Sequence, residues 1–509
     1  MRERPTGQPP MHGNRNAALL QTIKSAVISV LCLLLLANIA VHFLVSPSGK
    51  SNLNQTAAAN GAKSTANESQ KSSLTSSQQS KALSKSNCGI DRRWAKNLSL
   101  EEFRSTYRLK RPLLLQFERG AADWLVRDSA WSLDRLAGQF GSYDALAGRP
   151  VQIVQNGGRG QERVNFGRFL SDIRNASAGE KRYIFSREFF QSTHMDSTLK
   201  FPSIMAYNSR DHDLFLFLGG NNSGVSFHRH ADAWNAVVGG RKRWFLYPGD
   251  RAPPGGVHHA FEPADWLARV RVPMLTNAQQ KVAALIDGSA AAVEPLECVQ
   301  VAGEILYIPE GFYHATINLE PTLAIGIQNV KPLGATETAF YELNAKPPTE
   351  ADAIASKILK SMPYNTEVLH KQAMSRKRQE KFQEAEKLLE RALSLDSSFL
   401  VAMLDLAEIK WKYFSKIKEA QALYTKALEL NPNLWEVYGK YGEFLAYQTG
   451  ELETAVEMVE KATQLQSNEL VLWQLLRSIH DFAGNETAVS AADVMIDKLS
   501  VIDDQLYDF

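Results

Sequence analysis

The chain has 509 residues, which is enough for more than one domain. It carries 57 basic and 55 acidic residues, and a net charge of +2 excludes strong bulk attraction to nucleic acid or anionic lipid. Three cysteines without a CxxC pair exclude a disulfide-stapled scaffold and a cysteine-based zinc site.

The N-terminal region predicts a membrane anchor. Residues 26–45 carry no formal charge, and a helix of this length would span the ~30 Å hydrocarbon core of a bilayer. The charged residues of segment 1–25 are four basic ones and a single Glu3, which predicts a cytosolic tail. A cleaved signal peptide is the alternative, but its apolar region usually has only ~7–15 residues. We therefore expect a single-pass type II protein with an uncleaved signal-anchor and a lumenal C-terminal part, in the endoplasmic reticulum by preference.

Residues 46–87 predict a disordered stalk, because Ser, Asn, Gln, Ala and Lys dominate and large apolar residues are almost missing. Lumenal glycosylation is compatible with six N-x-S/T sequons, at Asn54, Asn67, Asn97, Asn175, Asn221 and Asn485. Cys88 and Cys298 could form a disulfide in an oxidising compartment, or remain two buried thiols.

Residues 88–333 predict a β-rich domain. Short apolar runs bounded by Gly, Pro or Asn are typical of strands, namely RPLLLQF (111–117), PVQIV (150–154), DLFLFLGG (213–220), WNAVVGG (234–240), KRWFLYPG (242–249), GEILYIP (303–309) and TLAIGIQ (322–328). Strands at this spacing favour a β-sandwich or barrel. Helices are expected near residues 97–107, 131–140 and 263–287.

The strongest local signal is GEILYIPEGFYHATIN, which runs from Gly303 to Asn318. Its spacing G-x5-P-x-G-x2-H-x3-N matches the second cupin motif at every fixed position. Pro309 and Gly311 would form the turn between two strands, which places His314 at the start of the second strand, facing inward.

An H-x-H pair upstream completes a candidate metal site. Residues i and i+2 of a strand face the same side, so His228 and His230 can both enter the barrel while Arg229 points out. Together with His314 they offer three nitrogen ligands, which suit Fe(II) and also Zn, Cu or Ni.

Residues 88–333 resemble the JmjC domain of cupin-fold protein hydroxylases. The resemblance is carried by the H-x-H pair, by WNAVVGGRKRWFLYPG and by LEC…AGEILYIPEGFYHATINL, and it covers about half of the chain. It implies a double-stranded β-helix barrel and an Fe(II)- and 2-oxoglutarate-dependent oxygenase that hydroxylates proteins.

The resemblance also implies roles for individual residues. His228 and His314 match the first and last metal ligands, and Lys242 matches the lysine that pairs with the distal carboxylate of 2-oxoglutarate. Asn235 matches a polar contact to 2-oxoglutarate, and Asn318 lies where related hydroxylases also have an asparagine.

Two positions depart from the family pattern. His230 stands where a carboxylate ligand is expected, and Asp232, two residues further, is the minority alternative. Gly326 stands where a hydroxyl side chain is expected near 2-oxoglutarate. A catalytically silent scaffold for protein interactions in the secretory pathway is therefore the alternative function. A three-histidine dioxygenase that needs no 2-oxoglutarate is a third possibility.

After a linker at 334–365, residues 366–498 predict an all-helical repeat array. Similar segments begin at Ala385, Ala420 and Ala455, a spacing of 35 residues, with alanines again at Ala392, Ala427 and Ala462. This resembles tetratricopeptide repeats, whose period is about 34. The array is expected to bind a protein or peptide partner on a concave surface, or to be a structural or dimerising appendage.

Overall fold

A computed structural model describes residues 88–506 apart from 127, 151–152, 154–160, 176–180, 258–259 and 277–293. The predicted tail, signal-anchor and stalk lie outside the described residues, as do the sequons Asn54 and Asn67. Within the part of the chain that is described, no helix combines the length and the apolar character needed to cross a membrane. The membrane anchor stays a prediction.

Two β-sheets form the barrel. Their strands are β1 (Asp91–Trp94), β2 (Leu113–Gln116), β3 (Asp144–Gly148), β4 (Glu162–Asn165), β5 (Tyr183–Ser186), β6 (His212–Gly219), β7 (Gly224–His228), β8 (Ala233–Gly239), β9 (Arg241–Tyr247), β10 (Leu296–Val301), β11 (Ile305–Ile308), β12 (Tyr313–Asn318) and β13 (Thr322–Asn329). The larger sheet has the order β1-β2-β11-β8-β13-β6-β5-β3-β4, and the smaller has the order β10-β9-β12-β7. The predicted cupin-type barrel is confirmed.

Strand β6 shows how side chains divide between the two faces of the larger sheet. Leu214, Leu216 and Leu218 are buried in the core that the sheet shares with flanking helices. Phe215 and Phe217 alternate with them and line a cavity between the two sheets. The barrel interior is therefore separate from the main apolar core.

Helices flank the barrel. They are α1 (Leu100–Glu102), continued by a π-helical turn (Phe103–Tyr107), α2 (Leu133–Phe140), α3 (Phe166–Asn175), α4 (Glu188–Thr193), α5 (Pro263–Trp266), continued by a second π-helical turn (Leu267–Arg271), and α6 (Val272–Thr276). Short 3₁₀ turns lie at Ala95–Asn97, Gly120–Asp123, Asp128–Trp131, Met195–Thr198 and Ser203–Met205. The strand predicted at residues 150–154 is wrong at the two positions that the structure describes, because Pro150 and Ile153 are helical. β3 ends two residues before Pro150, and proline is favoured at the first position of a helix.

The turns of the cupin motif need glycine. Gly303 has φ +90° and Gly311 has φ +76°, a region that other residues rarely adopt. Gly303 precedes β11, and Gly311 lies in the turn that leads into β12. The motif glycines thus set the path of the strand that carries His314.

The C-terminal region is all helical. Its helices are α7 (Ala335–Ala345), α8 (Pro348–Ser361), α9 (Thr366–Arg378), α10 (Phe382–Leu395), α11 (Leu400–Phe414), α12 (Ile417–Leu430), α13 (Trp435–Phe444), continued by a third π-helical turn (Leu445–Thr449), α14 (Leu452–Leu465), α15 (Leu470–Phe482) and α16 (Glu486–Leu506). Helices α10, α12 and α14 begin 35 residues apart, and Ala392, Ala427 and Ala462 are fully buried where paired helices meet. The predicted tetratricopeptide-like repeats are confirmed. The proposed domain boundaries stay predictions.

The helical array packs on the outer face of the smaller sheet. Phe227 and Tyr313 of the barrel share one apolar core with Leu400 and Leu404 of α11. The Gly255 N–H donates to a carboxylate oxygen of Asp396 at 2.8 Å. Barrel and array are thus joined by buried apolar and polar contacts.

A disulfide joins Cys88 to Cys298. It ties the first described residue to β10, beside an apolar cluster that includes Trp244 and Leu246. The sequence leaves open a disulfide or two buried thiols, and the structure has the disulfide.

Candidate metal centre

Two neighbouring strands of the smaller sheet bring His228 and His314 together. β7 ends at His228 and β12 begins at Tyr313, and their antiparallel register sets His228 opposite His314. The two ring centroids are 4.2 Å apart. Strand pairing alone therefore places these two imidazoles side by side.

His230 reaches the same point from outside the strand. The sequence predicts both histidines of the H-x-H pair on one strand, but His230 lies in the connection between β7 and β8. The Gly311 N–H donates to the His230 carbonyl at 3.0 Å, which holds this connection against the turn before β12. The His230 ring centroid lies 5.3 Å from that of His228 and 4.7 Å from that of His314. One ligand nitrogen of each ring lies within 4.8 Å of the other two.

The backbone fixes the tautomer of all three rings. Each Nδ1 lies within hydrogen-bond distance of a carbonyl oxygen, at 2.8 Å for His228, 2.6 Å for His230 and 2.9 Å for His314. A carbonyl only accepts, so each Nδ1 carries the proton and each Nε2 keeps a lone pair. Three unprotonated Nε2 atoms are the donor set that a divalent transition metal needs.

Burial keeps these imidazoles neutral. It lowers the pKa of His228 to about 4. Burial, together with the neighbouring His228, lowers the pKa of His230 to about 3 and that of His314 well below its usual value. A metal would therefore not compete with protons for these nitrogens at neutral pH.

Lys242 on β9 brings a buried cation into the same cavity. Its Nζ donates to the Tyr183 hydroxyl at 2.9 Å and to Asn318 Oδ1 at 3.0 Å. In the described part of the chain no carboxylate pairs with it, and burial lowers the pKa of Lys242 to about 7. A buried ammonium without a counter-ion is costly, so this position fits an anionic ligand.

Asn318 orients Lys242. Its Nδ2 donates to the Gly219 carbonyl at 3.2 Å and to Ser223 Oγ at 3.1 Å, which turns its oxygen toward the ammonium. Tyr183 supplies a hydroxyl that the sequence analysis missed. It lies on β5, far from every motif, and only the pairing of β5 with β6 brings it to the cavity.

The other predicted site residues differ in whether they line the cavity. Asn235 faces the cavity, and its buried Oδ1 has no hydrogen-bond partner among the described residues. Gly326 also lines the cavity, but a Cβ there would lie 2.4 Å from Cε2 of Phe217, so the Phe217 ring fills that space. Asp232 is turned away from the histidines, because its carboxylate accepts from Tyr307 at 3.4 Å and from Asn329.

The cavity lies between the two sheets. Polar groups meet there at two places, the three histidines and Lys242, and aromatic rings such as Phe215 and Phe217 line much of the rest. This is a typical composition for a small-molecule site.

Comparison with known families agrees with this geometry. Residues 138–327 match the family model of the Cupin-like domain. This part of the chain is a cupin-like domain. Lysine-specific demethylase JMJ21 of Arabidopsis thaliana is 29% identical over 47% of this chain and 25% of its own length. JmjC domain-containing protein 8 of Mus musculus is 37% identical over 21% of this chain and 34% of its own length.

A third relative is named for its cofactors. The 2-oxoglutarate and iron-dependent oxygenase JMJD4 of Danio rerio is 36% identical over 22% of this chain and 25% of its own length. The chain thus spans between about a quarter and about a third of the length of these relatives.

One solved structure is similar to another part of the fold. MamA from Desulfovibrio magneticus RS-1 is 17% identical, covers 35% of this chain and 99% of its own length, and has a TM-score of 0.29. The repeat assignment rests on the helical hairpins themselves and not on this likeness.

Behind the candidate metal centre, a buried ion pair links the strands that carry the histidines to the helical array. Arg229 lies between the two histidines of the H-x-H pair, and its Nε donates to Glu337 of α7 at 3.0 Å. Both side chains are less than a tenth exposed, and the guanidinium lies 3.6 Å from the ring centroid of Phe340. Arg229 does point out of the barrel, as predicted, but into the helical array and not into solvent.

A second contact holds the other ligand strand. The Tyr313 hydroxyl, next to His314, donates to Glu367 of α9 at 2.7 Å, and Asn365 Nδ2 donates to that hydroxyl at 2.9 Å. The helical array therefore anchors the segments of the cupin-like domain that carry the histidines on both strands.

Glu337→Gln removes the charge that faces Arg229 and keeps the side-chain size. We expect the free energy of unfolding to fall by ~3–5 kcal/mol, because a buried cation is left unpaired. We also expect Zn²⁺ affinity to fall ~10-fold or more, as when other supports of metal ligands are lost. Urea denaturation and a competitive Zn²⁺ titration measure the two effects.

Glu320→Gln is the matched control, because both side chains of its ion pair are exposed to solvent, Glu320 by 42% and Arg241 by 39%. It should cost less than ~1 kcal/mol and leave Zn²⁺ affinity unchanged. Equal effects of the two substitutions would contradict the anchoring role of Glu337.

The histidines should make the metal-free protein sensitive to acid. Their folded-state pKa values lie below the ~6.5 of an unfolded chain, so the unfolded state binds more protons between about pH 6.5 and about pH 4. The free energy of unfolding of the metal-free chain should therefore decrease as the pH falls through this window. Urea titrations at several pH values measure it, and His228→Gln should reduce the slope. A slope that His228→Gln leaves unchanged would show that this histidine is not held neutral.

Proposed function

We propose that the chain is an Fe(II)- and 2-oxoglutarate-dependent oxygenase that hydroxylates a protein substrate. The observation that carries this proposal is Lys242, a buried cation with no carboxylate partner among the described residues, in the same cavity as three unprotonated Nε2 atoms. A dicarboxylic acid suits both ends of this arrangement. When bound, Fe(II) and 2-oxoglutarate supply the oxidation of a substrate C–H bond by O2.

The side chains of the cavity have separate tasks. His228, His230 and His314 would hold the metal through Nε2, with the Nδ1 protons fixed on backbone carbonyls. Lys242 and Tyr183 would bind the distal carboxylate, which would restore the charge that burial disfavours on the lysine.

The helical repeats would recruit the protein substrate or its partner. Arrays of helical hairpins offer extended concave surfaces for polypeptides. This array packs on the sheet that carries the metal ligands, so a bound polypeptide would be held close to the JmjC domain. The name of the relative JMJ21, a lysine-specific demethylase, also points to protein substrates in the family.

A catalytically silent scaffold is the second candidate. His230 in place of a carboxylate leaves a divalent metal without a protein anion, so the metal would keep its full charge. The Phe217 ring also occupies the space beside Gly326 where a hydroxyl is expected. In this case the barrel would serve protein interaction in the secretory pathway without turnover.

Lys242→Met tests the proposal. The purified full chain, given Fe(II), ascorbate and a broad peptide panel, should convert 2-oxoglutarate to succinate. Loss of the buried ionic partner should raise the KM for 2-oxoglutarate at least ~30-fold, while Zn²⁺ affinity of the three histidines stays the same.

Lys96→Met, which alters an exposed lysine paired with Glu118, should leave the KM for 2-oxoglutarate unchanged. No succinate from the unaltered chain on any peptide would favour the silent scaffold. Succinate formation with the same KM in Lys242→Met would refute the role of this lysine.

We also propose a single-pass type II protein with its JmjC domain in the lumen of the endoplasmic reticulum. The basic tail and the uncharged segment 26–45 support this orientation. The sequons in the described part of the chain all have exposed asparagines, at Asn97, Asn175, Asn221 and Asn485. The Cys88–Cys298 disulfide suits an oxidising compartment.

Glycosylation in cells tests this topology. Removal of N-linked glycans by an amidase should increase the electrophoretic mobility of the full chain, and Asn485→Gln should remove one step of that shift. A chain whose mobility does not change on glycan removal, and which is digested by protease in intact microsomes, would place the JmjC domain in the cytosol.

A further inference from the structure

A groove lies next to the cavity that holds the three histidines, called the metal cavity here. Its empty volume is about 1380 Å³. Ala233 and Gln328 line the metal cavity, and their chain neighbours Asp232 and Asn329 line the groove, while Trp234 lines both. Successive residues of a strand face opposite sides of a sheet, so the groove lies across β8 from the metal cavity, at the end of the strand that follows His230. A ligand in the groove would therefore lie beside the connection that carries His230.

The groove carries unneutralised positive charge. Four exposed cations line it, and none has an ion pair among the described residues: Arg104, Arg108, Arg210 and Lys331. The two acidic lining residues, Asp211 and Asp232, accept hydrogen bonds from neutral groups and keep their charges, so cations exceed acids in the lining by four to two. The excess of cations is local, since the whole chain has a net charge of only +2.

Apolar side chains stand among the cations. Val330 is 47% exposed and Leu333 is 49% exposed, and both line the groove. Two aromatic rings of the lining, Phe103 and Trp234, are buried in the core outside the barrel and offer no face for base stacking. The half-buried His212 ring already packs against Tyr207. Exposed cations next to exposed apolar groups fit a polypeptide better than a single-stranded nucleic acid.

From these features we infer that the groove binds an acidic, extended polypeptide segment and holds it beside the connection that carries His230. The inference rests on the proposed function for the reaction and adds the chemical class of the substrate. Asp and Glu side chains of the segment pair with the four cations, and its apolar side chains contact Val330 and Leu333.

The test is a binding titration with the full chain and no added iron or 2-oxoglutarate. The probe is a fluorescein-labelled peptide rich in Asp and Glu with a few Leu and Val residues. A peptide of the same length with Asn and Gln in place of the acids, and a single-stranded oligonucleotide, are the comparison ligands. The variants are Arg104→Glu with Arg210→Glu, and Lys331→Glu alone. Arg135→Glu is the control, an exposed arginine of α2 that lies outside the groove and has no ion pair in the described part of the chain.

The acidic peptide should bind, and its dissociation constant should rise at least ~10-fold in the double variant and less in Lys331→Glu. Arg135→Glu should leave it unchanged, and the amide peptide should bind at least ~10-fold more weakly. Equal binding of the two peptides, tighter binding of the oligonucleotide, or an unchanged constant in the double variant would overturn the inference.

The same proteins separate this inference from the proposed function. Succinate formation without preference for acidic peptides overturns the inference alone. Groove-dependent binding of the acidic peptide without any succinate formation overturns the proposed oxygenase activity alone.

Discussion

The antiparallel register of β7 and β12 is the constraint on which the metal centre depends. It sets His228 opposite His314, and the turn at Gly311 holds His230 against the same point. Because each Nδ1 donates to a backbone carbonyl, the free lone pairs are all on Nε2 and face one another. A barrel with a different register would separate these rings, and no local signal in the H-x-H pair could restore them.

Two buried cations lie near this centre, and their partners differ in charge. Arg229, outside the barrel, has Glu337 as its counter-ion and aromatic rings on its faces. Lys242, inside the barrel, also lies near aromatic rings, but its polar partners among the described residues are a hydroxyl and an amide oxygen and no carboxylate. An unpaired buried ammonium lowers stability unless a ligand supplies the charge, so the contrast marks the barrel interior as a place for an anion. The ion pair outside makes the helical array part of the support of the metal centre.

The sequence predicts those parts of the site that depend on short-range patterns. The cupin motif and the 35-residue repeat follow from the regular geometry of strands and helices, and the structure has them. The predicted convergence of His228, His230 and His314 is also present, although only His228 of the H-x-H pair lies on a strand. The position of His230 outside β7, the hydroxyl of Tyr183 and the counter-ion Glu337 could not be predicted, because each depends on contacts between segments far apart in the chain. The strand predicted at 150–154 is wrong where it can be compared: Pro150 and Ile153 are helical, and proline is favoured at the first position of a helix, where its missing N–H has no partner to lose.

The most direct test of the central claim is a crystal structure of the chain soaked with Mn²⁺, as a substitute for Fe(II), and 2-oxoglutarate, with the metal located by anomalous scattering. The result expected is one metal bound by the Nε2 atoms of His228, His230 and His314, and a carboxylate of 2-oxoglutarate within hydrogen-bond distance of Lys242 Nζ. A barrel that binds neither, or a metal bound through Asp232 with Lys242 still without an anion, would contradict the account.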